Sequence, residues 1–128
     1  MRRTRCLPRL PADWPDVRSL TEAGEVAALY AIEGVEHLTA AEEAAGRGAY
    51  ALRKGDRGAA SIAAQRAAAE ASMAVLVAIQ AETWLAGQQH PSSLAREGAW
   101  RTRQHASVAT GAACRIREAL TKASSQSR

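Results

Sequence analysis

The stretch that decides the fold is GAASIAAQRAAAEASMAVLVAIQAETWLAG, residues 58–87. Its length would suffice to cross a membrane, but Arg66 and Glu70 interrupt it, and only the eleven residues 71–81 are uncharged before Glu82. A membrane-spanning helix needs about 20 consecutive, predominantly apolar residues. We therefore expect residues 58–87 to form a helix of a protein in solution, with no membrane partner.

Turn-forming residues on either side of this stretch divide the chain into three segments of similar length. Gly, Pro and polar residues cluster at KGDRG (54–58) and at GQQHPSS (87–93), and such clusters mark loops. The segments are rich in Ala, the strongest helix former, and they lack the alternating pattern of strands. The sequence predicts helices over about 19–53, 57–87 and 92–122.

Local signals define the ends of these helices. Asp56 is suited to cap the start of the second helix, and Ser92 or Ser93 the start of the third, because their side-chain oxygens accept hydrogen bonds from free backbone N–H groups. Gly55 and Gly87 follow the first and second helices. Glycine at this position commonly ends a helix in the left-handed conformation, so we predict left-handed stops at both.

Small residues recur at alternating three- and four-residue intervals along each predicted helix, which places them on one face. Ala or Gly at such a seam lets helix backbones approach near the lower end of the range of about 8–10 Å for packed helices. We therefore predict an all-α fold, a tight antiparallel three-helix bundle over residues 19–123. The series, called the inner seam below, comprises Leu20, Gly24, Ala27, Ala31, Gly34, Leu38, Ala41, Ala45, Gly48 and Leu52; Ala60, Ala64, Ala67, Ala71, Ala74, Ala78, Ala81 and Leu85; and Ala95, Ala99, Thr102, Ala106, Ala109, Ala113, Ile116 and Leu120.

The two ends of the chain differ from the helical part. Pro8, Pro11 and Pro15 prevent a regular helix over residues 1–18, because proline has no backbone N–H and clashes with the preceding turn. We predict an extended basic arm there. Residues 124–128 are polar, and we predict a disordered tail, as is common at chain ends.

Charge is distributed unevenly along the chain. Residues 1–18 carry five Arg and two Asp, net +3; residues 19–52 carry six Glu and one Arg, net −5; residues 91–128 carry seven basic and two acidic groups, net +5. The basic ends favour acidic partners, and Lys and Arg can neutralise nucleic-acid phosphates. The candidate nucleic-acid contacts are Arg2, Arg3, Arg5, Arg9, Arg101, Arg115 and Lys122.

Large apolar side chains lie off the inner seam in the first two helices. If these helices run antiparallel about the turn at 54–58, residue 33 lies level with about residue 78, so both groups share one layer. An apolar layer on a surface requires a cover, either a second copy of the chain or the basic arm, and we favour self-association. The predicted interface residues are Val26, Leu29, Tyr30, Ile32, Met73, Leu76 and Val77.

One polar cluster is a candidate for chemistry. Glu33 and His37 lie four residues apart, Arg101 and His105 repeat that spacing on the third helix, and folding at both turns places residue 37 level with about residue 105. Two His and a Glu are potential metal ligands, and an Arg with a His can stabilise charge and move a proton. The alternative is an Arg–Glu pair with two imidazoles that are solvated or hydrogen-bonded within the protein. We favour that alternative and predict no metal and no cofactor.

The remaining features concern the class of protein. Cys6 and Cys114 lie at opposite ends of the chain and form no zinc-binding motif, which favours a reduced, cytoplasmic protein. The 15 Arg against two Lys are typical of a GC-rich bacterial genome, and a short chain without a catalytic motif fits an accessory or mobile-element gene. We predict a non-enzymatic, self-associating interaction module. The alternatives are a nucleic-acid-associated protein and an enzyme or metal protein built on the polar cluster.

Overall fold

The computed structural model describes residues 22–126 and contains three α-helices within them. Helix α1 spans Glu22–Arg53, α2 spans Arg57–Ala86 and α3 spans Ser93–Gln126. Each helix packs against the other two, which confirms the predicted all-α three-helix bundle. The predicted arm at 1–18 lies outside the described residues.

The first turn has the geometry that its sequence predicts. Gly55 has a φ of 75°, a left-handed conformation that glycine adopts without strain. The Gly55 N–H donates to Leu52 O at 3.1 Å and the Asp56 N–H donates to Ala51 O at 2.9 Å, the two bonds that close a glycine-ended helix. Asp56 Oδ1 then accepts from Ala59 N at 3.0 Å. Two adjacent residues therefore end α1 and start α2.

The second turn differs from the prediction at its glycine. Gly87 has a φ of −78° and is right-handed, so the predicted left-handed stop is wrong. Its N–H donates to Thr83 O at 3.3 Å and to Trp84 O at 3.1 Å, so carbonyls of the last turn satisfy it without a left-handed residue. The predicted cap of α3 is confirmed, since Ser92 Oγ accepts from Ala95 N at 3.1 Å.

The inner seam forms the core of the bundle. In α2 its residues are buried from Ala60 to Ala81, and in α3 from Ala95 to Ile116. In α1 its glycines and most of its alanines are buried. Because methyl groups bury little apolar area each, this core depends on close approach of the helices rather than on large side chains.

Glycines mark the points of closest approach. A Cβ atom at Gly98 would lie 2.5 Å from Ala27 Cβ and 2.8 Å from Ala27 O, so the backbones of α1 and α3 are in direct contact there. A Cβ at Gly48 would lie 2.7 Å from two carbons of the Ile116 side chain. Because these two glycines have no Cβ atom, Ala27 and Ile116 occupy the space beside them.

Cross-helix pairs define the register. Tyr30 in α1 packs against Trp84 in α2 with ring centroids 6.2 Å apart, and His37 Nδ1 lies 2.7 Å from Glu70 Oε2. Residue numbers rise along α1 as they fall along α2, so the helices are antiparallel about the turn at 54–58, as predicted. Gly98 in α3 meets Ala27 in α1, and Ile116 in α3 meets Gly48 in α1. Residue numbers rise together along these two helices, so α3 runs parallel to α1.

Helix α3 is longer than the sequence predicts. It continues to Gln126, so the predicted disordered tail is wrong for 124–126, while 127–128 lie outside the described residues. Arg57 Nη2 at the start of α2 donates to Ala123 O at 3.1 Å. This bond satisfies a carbonyl of the last turns of α3 and joins them to the bundle.

Candidate protein-interaction surface

Helix α2 exposes large apolar side chains on the face opposite the inner seam. Ile62 is 70% exposed, Ile79 55%, Leu76 45% and Met73 43%. Single exposed apolar residues are ordinary on protein surfaces, but these four belong to one side of one helix. A contiguous exposed apolar surface marks a site of contact with a protein, a ligand or a membrane.

These side chains belong to a second regular series on α2. Starting at Ile62, residues at alternating three- and four-residue intervals are all exposed and all uncharged. We call this series the outer seam; it comprises Ile62, Gln65, Ala69, Ser72, Leu76, Ile79 and Thr83. Such spacing is the pattern by which helices pack in coiled coils. Helix α2 therefore has one packing seam toward the bundle and a second toward the outside.

The acidic side chains of α2 are held by the neighbouring helices. Glu70 Oε2 pairs with His37 Nδ1 of α1 at 2.7 Å, and Glu82 pairs with Arg103 of α3. Each carboxylate is therefore drawn toward the flank of α2. The positions of the outer seam itself are uncharged along about six helical turns.

A groove between α2 and α3 borders the outer seam. It has a volume of about 540 Å³ and a mainly apolar lining that includes Val75, Thr110 and Cys114. The free Cys114 thiol lies 3.9 Å from Nη2 of Arg117. Val75 and Thr110 also line a second groove of about 430 Å³, so the depression continues along the two helices. The surface beside the outer seam is thus concave and mostly apolar.

The structure divides the predicted interface residues into three groups. Leu29, Met73 and Leu76 are exposed, and Val26 and Tyr30 are half-buried. Ile32 is 8% exposed and Val77 1% exposed, so these two are buried within the protein and do not belong to the surface. Val77 lies seven residues after Glu70 and seven residues before Trp84. Since Glu70 and Trp84 both contact α1, Val77 lies on the stripe of α2 that faces α1.

The predicted interface residues also omit two large apolar residues of this surface, Ile62 and Ile79. Ile62 lies outside the predicted apolar layer, yet it is the most exposed of the large apolar side chains in the described part of the chain. The signal was present in the sequence as the uncharged three-and-four spacing from residue 62 to residue 83. This spacing is easily overlooked because most outer-seam positions between residues 62 and 83 carry small or polar side chains.

The structure separates the predicted polar cluster. His37 turns toward Glu70 in α2, Arg101 Nε donates to Glu97 Oε1 at 2.9 Å, and Glu33 is exposed. Among residues 22–126, no group of three or more His, Cys, Asp or Glu side chains is arranged to hold a metal ion. His37 and Arg101 are thus paired with side chains outside the predicted cluster.

His105, the fourth residue of that cluster, packs against α1 instead. Its Nδ1 would lie 3.3 Å from a Cβ at Gly34, and this atom is buried without a hydrogen-bond partner. Burial lowers the pKa of His105, the neighbouring backbone of Ala31 acts in the opposite direction, and the Arg101 cation lowers the pKa further. His105 is therefore a neutral packing residue near pH 7.

The candidate nucleic-acid contacts are only partly described. Arg115 and Lys122 are exposed on α3, whereas Arg101 is half-buried and paired with Glu97. The candidates in the arm lie outside the described residues: Arg2, Arg3, Arg5 and Arg9. Within residues 22–126, two of the predicted contacts are thus fully available to a phosphate.

Helix α2 is also unusual in its overall hydropathy. Within the described residues it is the one helix long and apolar enough to cross a membrane by length and composition. Only 33% of its most apolar 18-residue window is buried in the bundle, whereas the core helix of a protein in solution is mostly buried. Much of the apolar surface of α2 is therefore uncovered by the other residues that the structure describes.

Comparison of the chain with protein-family models, curated proteins and solved structures found no match. The class of protein is accordingly defined by its geometry. It is an all-α three-helix bundle with a core of small residues and a second, uncharged seam on the exposed face of its middle helix.

Proposed function

We propose that the protein is a non-enzymatic assembly module of the cytoplasm that self-associates through the outer face of α2. The observation that carries this proposal is that α2 exposes Ile62, Met73, Leu76 and Ile79 on the face opposite its buried inner seam. Large apolar side chains exposed together on one helix face normally mark a contact site. A second copy supplies a cover for this face, and the free thiol of Cys114 is compatible with a reducing compartment.

The exposed side chains supply the driving force for association. Fully burying one Leu, Ile or Met side chain contributes about 1.5–3 kcal/mol, and Ile62, Met73, Leu76 and Ile79 are 43–70% exposed. Covering all four therefore contributes about twice the stabilisation that burying one fully exposed residue provides. Association adds the burial of large apolar groups to a core made mostly of small residues.

Mass measurement by light scattering on a sizing column tests this proposal. We expect a dimer or larger assembly whose mass is the same at low and high salt, because salt screens charge interactions and the outer seam carries no charge. A mass of one chain across the micromolar range would contradict the proposal.

Substitution within the outer seam is expected to separate the copies. Leu76→Glu should yield a monomer of unchanged helicity, because a carboxylate buried in an apolar contact is strongly unfavourable. Val108→Glu is the matched control: Val108 is 48% exposed and Leu76 45%, but Val108 lies on α3 outside the outer seam. Light scattering and circular dichroism check both variants. Loss of assembly in the control, or its retention in Leu76→Glu, would show that another surface makes the contact.

Exposed cations of α3 support a second candidate function, association with nucleic acid. Arg115 and Lys122 are exposed seven residues apart on one helix face, and phosphate binding by such groups weakens steeply with salt. DNA or RNA should then retain the protein at low salt, and Arg115→Ala with Lys122→Ala should reduce that retention. No retention at low salt would eliminate this candidate.

A further inference from the structure

We infer that the helix covering the outer seam is α2 of a second copy, running antiparallel to the first. This inference rests on the proposed self-association and adds the identity of the contacting helix and its register. In a two-fold symmetric contact, each residue pair occurs twice with the roles of the copies exchanged. In such a contact, the outer seam of one copy must therefore pack against the outer seam of the other.

The outer seam is complementary to itself in one antiparallel register. When its alternate positions are paired as in a coiled coil, Ile62 faces Ile79 of the second copy and Ala69 faces Ser72 of the second copy. Two-fold symmetry repeats both pairs. Large apolar side chains then meet at both ends of the contact, and small side chains meet at its centre.

Small residues at the centre favour close contact at the symmetry axis. Ala69 and Ser72 let the two helices approach near the lower end of the range of about 8–10 Å, which brings the isoleucines at either end together. The same register sets Leu76 over Gln65 of the second copy, so its apolar surface lies along the methylene groups of that side chain. The centre of the contact lies near the middle of Arg57–Ala86, so the two helices overlap along almost their full length.

The register places no like charges opposite each other. By the same spacing, Arg66 lies level with Val75 of the second copy, and Glu82 lies level with Ala59 of the second copy. Glu70 is held by α1 within its own chain. The contact is therefore free of the charge repulsion that would disfavour a symmetric pairing, and its strength should not depend on salt.

The outer seam is long enough for a specific but modest interface. From residue 62 to residue 83 it extends about 32 Å along the helix. A contact strip of that length and about 15 Å width on each copy buries about 1,000 Å² in total, near the lower bound for specific interfaces. We expect a reversible dimer that dissociates on dilution.

Engineered disulfides test the register in the full chain. In a background of Cys6→Ser and Cys114→Ser, the double variant Ile62→Cys, Ile79→Cys brings each new thiol near its counterpart on the other copy, because disulfides require Cβ atoms about 3.5–4.5 Å apart. Mild oxidation should produce a covalent dimer on a non-reducing gel. The two single variants are matched controls, because identical positions of the two copies would lie about 26 Å apart, so neither should form a dimer.

The outcomes separate this inference from the proposed function. A covalent dimer from Ile62→Cys alone would indicate parallel helices and overturn the register while self-association stands. A non-covalent dimer without cross-links in the double variant would also overturn it. If the wild-type protein is a monomer by light scattering, both the register and the proposed self-association are overturned. If that monomer bound vesicles of phosphatidylcholine and phosphatidylglycerol, a lipid surface rather than a second copy would cover the outer seam.

Discussion

Replacing Gly98 by alanine is expected to lower the free energy of unfolding by about 2 kcal/mol, within the range of about 1–3 kcal/mol typical of overpacked cores. The new methyl group would lie 2.5 Å from Ala27 Cβ and 2.8 Å from Ala27 O. Backbone atoms of α1 cannot turn aside as a side chain can, so the two helices must separate. Separation loosens the neighbouring inner-seam contacts and outweighs the gain of about 1 kcal/mol that alanine brings to a helix.

Two glycines of α1, Gly46 and Gly48, provide graded controls for this substitution in α3. A Cβ at Gly46 meets nothing within 4 Å, so Gly46→Ala should stabilise the protein by about 0.5–1 kcal/mol. A Cβ at Gly48 would meet the outer carbons of Ile116, which can shift, so Gly48→Ala should fall between the two. Thermal or urea unfolding at one protein concentration measures all three. A Gly98→Ala variant as stable as the wild type would contradict direct backbone contact between α1 and α3.

Acidification is expected to destabilise the bundle through His105. Burial holds the pKa of His105 below its ordinary value of 6.5, so in the folded protein the ring stays neutral at a pH where the unfolded chain has already bound a proton. Because the unfolded state binds more protons there, stability rises with pH. This contribution is present above pH 6.5 and is lost as the pH falls through the lower pKa of the folded state. Protonation would place a charge and a second N–H donor where Nδ1 is already without a partner.

The measurement is the free energy of unfolding between pH 7.5 and pH 5, compared with that of His105→Leu. Leucine keeps an apolar body at this position and removes the titrating ring. All other groups are common to the two proteins, so the difference between their curves isolates His105. The wild type should lose more stability than the variant on acidification, and parallel curves would show that this ring carries no proton-linked stability.

The buried and exposed faces of α2 differ in the size of most of their side chains, although the large Val77 lies on the buried face. Small residues face α1 and α3, as at Ala67 and Ala74, which are 0% exposed. Large residues face outward, as at Leu76 and Ile79. This arrangement reverses the usual preference for large apolar side chains inside, which is the physical reason to seek a cover for α2 beyond residues 22–126.

The candidate site was only partly predictable from the sequence. The apolar layer of the second helix was recognised, and Met73 and Leu76 are exposed on it. Val77 belongs to the same apolar run, yet it is buried, because one residue along a helix turns a side chain by about 100°. His37 and His105 share a predicted level, but one turns to α2 and the other to α1, a choice that depends on which neighbour offers an acceptor or a space.

The sequence by itself determined the three helices, their order and the face by which they pack, because helix propensity, turn residues and three-and-four spacing are local properties of the chain. The register of α1 with α2 followed from the position of the turn. Only the tertiary structure decided which apolar residues remained exposed, where Gly98 meets the backbone of α1, and which partner each ionisable side chain adopts. These outcomes depend on distances of a few ångströms between residues far apart in the chain, and side-chain spacing along one helix does not contain them.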